Sequence, residues 1–302
     1  MPTEHSDVAA IDYARRASYA RTPFLGGTPV LLLHGLGGDI RQLWGDGRIP
    51  LSGYPSVIAA DARLHGATRV DAARGLDFTT MAQDQIALIR HLDLPQPLIL
   101  IGVSMGAGTA IRISQLAPIM VGGLVLIRPA WLDSPFPRHL APLTEVGEIL
   151  MTSGTQDGRA VFLASSTYKL LRDQSPSAAS SVLDQFSKPF AAARARRLID
   201  VPGSTPMTSQ RELADVSVPT MVVGASADPL HPIEVASIWA ALIPAAELHV
   251  LPSRDAHPRG YQRTLRDLMT AFLAQNSDWS PPARPLNQTS PQSQECPIGN
   301  RS

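Results

Sequence analysis

An α/β fold, with a mostly parallel sheet buried between helices, is what this sequence predicts. Three observations carry that prediction. Short apolar runs of strand length recur along the chain, segments of helical period separate them, and one run leads straight into a Gly-x-Ser-x-Gly turn. Apolar runs without alternation suit strands covered on both faces, and strands that take turns with helices make βαβ units.

In chain order the runs are 30–33 (VLLL), 57–60 (VIAA), 98–101 (LILI), 124–127 (LVLI), 221–223 (MVV) and 248–251. Helices are expected between them. The segment 79–91 carries apolar residues at Met81, Ile86, Leu88 and Ile89, with Thr79 or Thr80 as a cap. A second helix, 105–116, begins at once after a strand and stops before Pro118, and further helices are expected at 232–242 and 260–273. The rhythm breaks from Pro129 to about Val216, where no strand-like run occurs. Four prolines (Pro129, Pro135, Pro137, Pro142) lead into helical patterns around 140–151, 159–172 and 177–198. The expected organisation is therefore a core of 11–128 and 217–276, a helical cap of 129–216, and a tail of 277–302. That tail is rich in Pro, Ser, Asn and Gln, which predicts disorder, and residues 1 to about 10 are expected to be loose as well.

Composition narrows the class. At 302 residues and 44% hydrophobic content the chain can bury one large core or two modest ones. Its 26 basic residues balance 26 acidic ones, so the basic stripe of a nucleic-acid binder is not expected. The single cysteine, Cys296, cannot form an internal disulfide or a cysteine-rich metal site. No basic start followed by an apolar stretch marks a secretory signal, and the longest apolar runs are too short to span a bilayer. A soluble, cytoplasmic protein is the expectation.

The chemistry concentrates in LILIGVSMGAGTAIRIS. A strand, a sharp turn at Ser104 and a helix form the context of a nucleophile elbow. Gly102, Gly106 and Gly108 give the strand and helix room to approach, and the helix N-terminus favours negative charge beside Ser104. A serine nucleophile needs a base and a group to orient that base. His257, in a loop after the last strand run, is the expected base, and His231 in ADPLHP is its main rival, read first as a helix-start residue before Pro232. Asp228, at the end of the MVVGA run, is the expected acid, with Asp133 as backup; Asp255 reads as a loop stabiliser. His91 and His139 read as surface residues and His249 as strand packing. The order Ser104, Asp228, His257 is the one this elbow type uses. The oxyanion would be held by the backbone N–H of Met105 and that of Leu36 in HGLGG, while His34 reads as structural.

Four segments, LLLHGLGG (31–38), DARLHG (61–66), GVSMG (102–106) and GASADPLHP with the later DAHP (224–258), resemble the α/β-hydrolase superfamily, close to its esterase, lactonase and cofactor-free haloperoxidase members. The resemblance covers about Tyr13 to Leu273. It implies an eight-stranded, mostly parallel sheet with a lid after the sixth strand, and a structural turn at 61–66. Leu64 stands where the usual pattern has glycine, and Ala256 stands where glycine often precedes the catalytic histidine.

The function so implied is serine hydrolysis through an acyl-enzyme, on a small or medium carboxylic ester, thioester or lactone, with no cofactor or metal. Trp131, Phe136 and Phe162 are candidates to line an acyl pocket, as are Leu132, Leu140, Ile149 and Phe186; equally, they could be plain cap core. The expected partner is a small acyl substrate, with no nucleic acid and no membrane span, and oligomeric state is left open. Perhydrolysis, carbon–carbon bond hydrolysis or a lyase reaction on the same residues are alternatives. A non-catalytic binding protein of the same fold is the alternative from another class.

Overall fold

In a computed structural model of the chain, residues 4–24, 26–44, 51, 54, 56–70 and 76–277 are described. The first element is helix α1 (Glu4–Arg16), so the expectation of a loose start is corrected over 4–10. Tyr13 anchors this helix: its ring is fully buried, and its hydroxyl donates to the Asp61 carbonyl and accepts from Gln85. The proline- and serine-rich tail from 278 onward, with Cys296, lies outside the described residues.

Among the described residues the strands β1 (Tyr19–Arg21), β2 (Val30–Leu33), β3 (Val57–Ala60), β4 (Leu98–Val103), β5 (Val121–Ile127), β6 (Thr220–Ala225) and β7 (Ala246–Leu251) form one sheet in the order β1-β3-β2-β4-β5-β6-β7. Only the edge pair β1–β3 is antiparallel. The sheet thus has seven strands rather than the eight expected. Among the described residues the chain forms one helix and one three-residue strand ahead of the buried β2, where two N-terminal strands are expected.

The apolar runs are explained by what covers each face. Leu31, Leu33, Leu98, Leu100, Leu124 and Leu126 face one side, against α2 (Phe78–His91), α3 (Met105–Leu116) and, near β6, Trp239 of α9 (Ile233–Leu242). Their alternate neighbours Leu32, Ile99, Ile101, Val125 and Ile127 face the other side, against Leu265, Met269 and Phe272 of α10 (Pro258–Asn276). Period two places successive residues on opposite faces, so a strand buried on both must be apolar throughout.

Between β5 and β6 lies a helical insertion that resembles a cap: α4 (Ala141–Ser153), α5 (Gln156–Ala164), α6 (Ser166–Gln174), α7 (Pro176–Leu183) and α8 (Arg197–Asp200). It follows the fifth strand of the described residues rather than the sixth, one strand fewer than expected preceding it. The helix expected at 159–172 is two helices. Ser165 ends the first and caps the second, its hydroxyl accepting from the Tyr168 N–H. Among the described residues no helix is long and apolar enough to cross a membrane.

Candidate active site

β4 ends at Val103, and the chain turns into α3 through Ser104, whose φ of 53° and ψ of −112° lie outside the regions L-residues favour. Such strain persists only where the surroundings fix it. Here the Ser104 N–H donates to the Ile127 carbonyl of the neighbouring strand, and the Ser104 carbonyl accepts from Ala107 and Gly108. A Cβ on Gly106 would run into the Leu33 carbonyl, and one on Gly102 into the Gly106 backbone, so both positions must be glycine for β2, β4 and α3 to meet.

The side chain that meets Ser104 is His231. Its Nε2 accepts from the Ser104 hydroxyl at 3.0 Å, and its Nδ1–H donates to both Asp228 oxygens at 3.1 Å. The histidine expected there, His257, is exposed at the start of α10. The physical reason is local. After β6, Ala227 takes a left-handed φ of 55°, the Leu230 N–H donates to Asp228 Oδ1, and the His231 N–H donates to the Asp228 carbonyl. This tight turn folds His231 back over the aspartate three residues before it. The loop ahead of His257 is held elsewhere. Asp255 accepts from the Ser175 hydroxyl at 2.5 Å and from the Ser177 N–H at 2.8 Å, which ties that loop to the start of α7.

The electrostatics suit a serine, a neutral imidazole and a carboxylate. Burial pushes His231 down from its ordinary value; Asp228 pulls it up and Arg128 pushes it down, with a net fall. Burial alone would raise Asp228, but His231 and Arg128, which both hydrogen-bond the carboxylate, outweigh it and hold the carboxyl well below the usual range. Arg128, just past β5, donates from Nη1 to Asp228 Oδ2 at 3.0 Å. The backup acid, Asp133, instead accepts from Gln210.

The loop after β2 closes the other side. His34 donates from Nδ1 to the Gly35 carbonyl and accepts at Nε2 from the Ala62 N–H, the structural role expected of it. The Gly35 N–H donates to the Gln42 side chain. Among the described residues neither the Leu36 N–H nor the Met105 N–H donates to another protein group. The 61–66 turn is pinned by Asp61, which accepts from the Ile40 and Ala67 N–H groups. Leu64 there has φ of 59°, the conformation that explains why glycine is usual at this position.

A cavity of about 730 Å³ opens at Ser104. Its walls include Leu36, Leu143, Val182 and Leu230 as apolar surface, and Ser181, Gln185 and Arg128 as polar surface. Trp131, Phe136 and Phe162 are not among its lining residues, which corrects the expected pocket. Trp131 is buried edge-on against Phe78 with its carbonyl accepting from Trp239. Phe162 packs on Tyr168 and Phe186 inside the insertion. Phe136 is 56% exposed. Sequence reasoning also passed over Arg128 and the α7 wall. A charge placed directly after an apolar strand is the signal for the first; the small residues of α7 gave none. His139, expected at the surface, is half-buried and donates to the Ala130 carbonyl at 2.7 Å.

Comparisons with known proteins bear on the fold and the family. The alpha/beta hydrolase family matches residues 30–268. A Haemophilus influenzae protein assigned to the esterases and lipases is 42% identical over 101 residues, 33% of this chain and 34% of that protein. BpoC of Mycobacterium tuberculosis, assigned to the non-heme bromoperoxidases, is 35% identical over 154 residues, 49% of this chain and 56% of BpoC. The chain spans about a third of the length of the first of these curated relatives. Among solved structures, BpoC superposes with a TM-score of 0.62 at 25% identity, covering 86% of this chain and 96% of BpoC. A thermophilic esterase from Thermogutta terrifontis does so with a TM-score of 0.63 at 22% identity, covering 84% and 93%. The matched span runs from β2 into α10 and takes in the elbow at Ser104, the Asp228 turn and the insertion between them, and on that ground the chain belongs to the alpha/beta hydrolase family.

Proposed function

We propose that the chain is a serine hydrolase in which Ser104 attacks a carbonyl, His231 is the general base and Asp228 orients that base. The observation that carries the reading is the relay of hydrogen bonds from the Ser104 hydroxyl through both ring nitrogens of His231 to Asp228. Nucleophile, base and orienting acid stand in hydrogen-bond reach in the order the chemistry needs.

His231 takes the hydroxyl proton as Ser104 Oγ bonds to the carbonyl carbon. The oxyanion is held by the Leu36 and Met105 N–H groups, both free of other protein acceptors among the described residues. The imidazolium then gives its proton to the leaving oxygen or sulfur, and the acyl-enzyme remains. Water, deprotonated by the same histidine, releases the acid and restores Ser104. Burial, which keeps His231 neutral, favours this base role near neutral pH.

The insertion acts as the cap, since Leu143, Val182 and Gln185 reach the cavity from it. A volume of about 730 Å³ with mixed walls suits a small or medium ester, thioester or lactone better than a peptide.

The test is labelling by a fluorophosphonate probe. Wild-type protein is expected to be labelled, Ser104→Ala not at all, and His231→Ala at a rate lower by a factor of about 10³ or more. Equal labelling of wild type and Ser104→Ala would overturn the reading.

A further inference from the structure

We propose that Arg128 is a positioning residue of this site: it fixes the Asp228 carboxylate in the orientation that serves His231, and it sets the pH range over which the histidine can act as a base. The inference rests on the serine-hydrolase reading.

Asp228 is attached by a short side chain and can turn about its last bond unless both oxygens are held. Oδ1 is held by the Leu230 N–H at 3.1 Å, a contact from its own turn. Oδ2 is held by Arg128 Nη1 at 3.0 Å, a contact from another strand and 100 residues away. With both oxygens fixed, the edge between them faces the His231 Nδ1–H, which lies 3.1 Å from each. Take away Arg128 and Oδ2 keeps only the histidine it is supposed to orient.

Arg128 is itself placed for this. Its backbone leaves β5 with φ of 50°, and its N–H donates to the Val223 carbonyl of β6 at 2.6 Å. A side-chain-bearing residue held in the left-handed region marks a position where the surroundings override local preference. Among the described residues the buried Nε of Arg128 has no hydrogen-bond partner, so Asp228 is what directs the guanidinium. The pair is nearly out of water, with side chains 12% and 8% exposed, where a charge contact is strong and an unpaired charge is costly.

The imidazole is faced by Asp228 on its own loop, Arg128 from the end of β5 and His139 from the insertion. Tyr261 of α10 faces the guanidinium. Farther around the cavity Arg41 pairs with Asp39, which Lys188 also faces, Arg254 stands beside Asp255, and Asp184 lines the same wall. Arg128 is thus a fixed cation near His231 that partly offsets the stronger pull of Asp228 on the ring. It opposes protonation of the ring, so the neutral, basic form persists to lower pH.

The experiment compares wild type, Arg128→Met and Arg128→Lys for fluorophosphonate labelling rate and p-nitrophenyl ester kcat/KM, between about pH 5 and pH 9. Arg128→Met keeps the bulk and loses the charge. It is expected to label about tenfold more slowly on the plateau, with the acid limb of the profile moved up by about one pH unit. Arg128→Lys is expected to return the limb to its wild-type position. A plateau loss of less than about threefold, or a larger loss with an unmoved limb, overturns the proposal, because a merely structural arginine would not move the limb. Should Arg128→Met fail to fold, Arg128→Lys decides: labelling within about tenfold of wild type on an unshifted limb supports the proposal, and any other result overturns it. Failure of the underlying reading looks different, since wild-type protein itself would then not be labelled at Ser104, and this proposal would fall with it.

Discussion

Two buried arginine–aspartate pairs set against each other separate structure from chemistry. Arg63 and Asp84 join the turn after β3 to α2 through two bonds, at 2.6 and 2.9 Å, with side chains only 3% and 2% exposed. Arg128 and Asp228 join the ends of β5 and β6. The residue types are the same, but the two carboxyls respond to burial differently. At Asp84 burial outweighs the help from Arg63, and Asp77 adds repulsion, so the carboxyl is pushed up to about 7. At Asp228 burial pushes the same way, yet His231 and Arg128 together outweigh it and the carboxyl stays ionised. Burial sets the penalty, and the number of donors decides which form survives. Neither Arg63 nor Asp84 lines the cavity at Ser104; both Arg128 and Asp228 do. One pair therefore fastens the frame, and the other lies at the proposed reaction site.

Removing one charge from each pair gives the sharpest contrast. Asp228→Asn is expected to lower fluorophosphonate labelling by a factor of about 10³ to 10⁴, because the amide cannot accept from Nδ1–H as the carboxylate does and so leaves the ring free to take the wrong tautomer. Asp84→Asn is expected to leave labelling per folded molecule unchanged. Asp84→Ala, measured by urea unfolding, is expected to cost about 3–5 kcal/mol by taking the carboxylate away from the buried Arg63 guanidinium. If Asp84→Asn silenced the protein, or Asp228→Asn left it active, the division into frame and site would collapse.

The pairs should also differ in the sign of their pH response. Asp84 holds its proton more tightly folded than unfolded, so its contribution to stability is full below about pH 4 and is lost as the pH rises through about 7. Asp228 runs the other way: its contribution is present above about pH 4 and is lost only as the pH falls below the ordinary carboxylate range. Urea unfolding of wild type and Asp84→Asn at about pH 5 and about pH 8 isolates the first effect. Wild type is expected to lose stability relative to the variant as the pH rises; a relative gain would contradict the assignment of Asp84.

How much of this could be read from the chain depends on how local each feature is. The strands were legible because burial on both faces leaves no room for a polar residue between Leu98 and Ile101. The elbow was legible because Gly102, Ser104 and Gly106 carry its whole geometry within five residues. The N-terminal helix was not, since what fixes it is the contact of Tyr13 with Asp61 and Gln85, far along the sequence. The pocket lining misled for a related reason. Large apolar residues of a helical insertion are needed for its own core, as Phe162 and Phe186 are, and the cavity wall falls to smaller or more polar side chains such as Ser181 and Gln185. The base was undecidable from spacing alone: Asp228 and His231 are three residues apart, Asp255 and His257 two, and each pair follows a strand. The difference lies in which loop turns back over the sheet.

The smallest expected effect tests that last point. His257 begins α10 beyond a loop whose aspartate is engaged by Ser175 and Ser177, and its own ring is exposed. Nothing in this arrangement brings it to Ser104, whose hydroxyl is already bonded to His231. His257→Ala is therefore expected to keep ester turnover within about twofold of wild type, as for surface changes away from the chemistry, and to leave the acid limb of the pH profile in place. The informative partner is Asp255→Ala, which frees the same loop from α7. If freeing the loop slowed turnover while His257→Ala did not, the loop would matter as a brace for the cavity wall formed by α7. If His257→Ala alone slowed turnover by more than tenfold, the histidine expected from the sequence would have to reach Ser104 in working protein, and His231 would lose its place as the base.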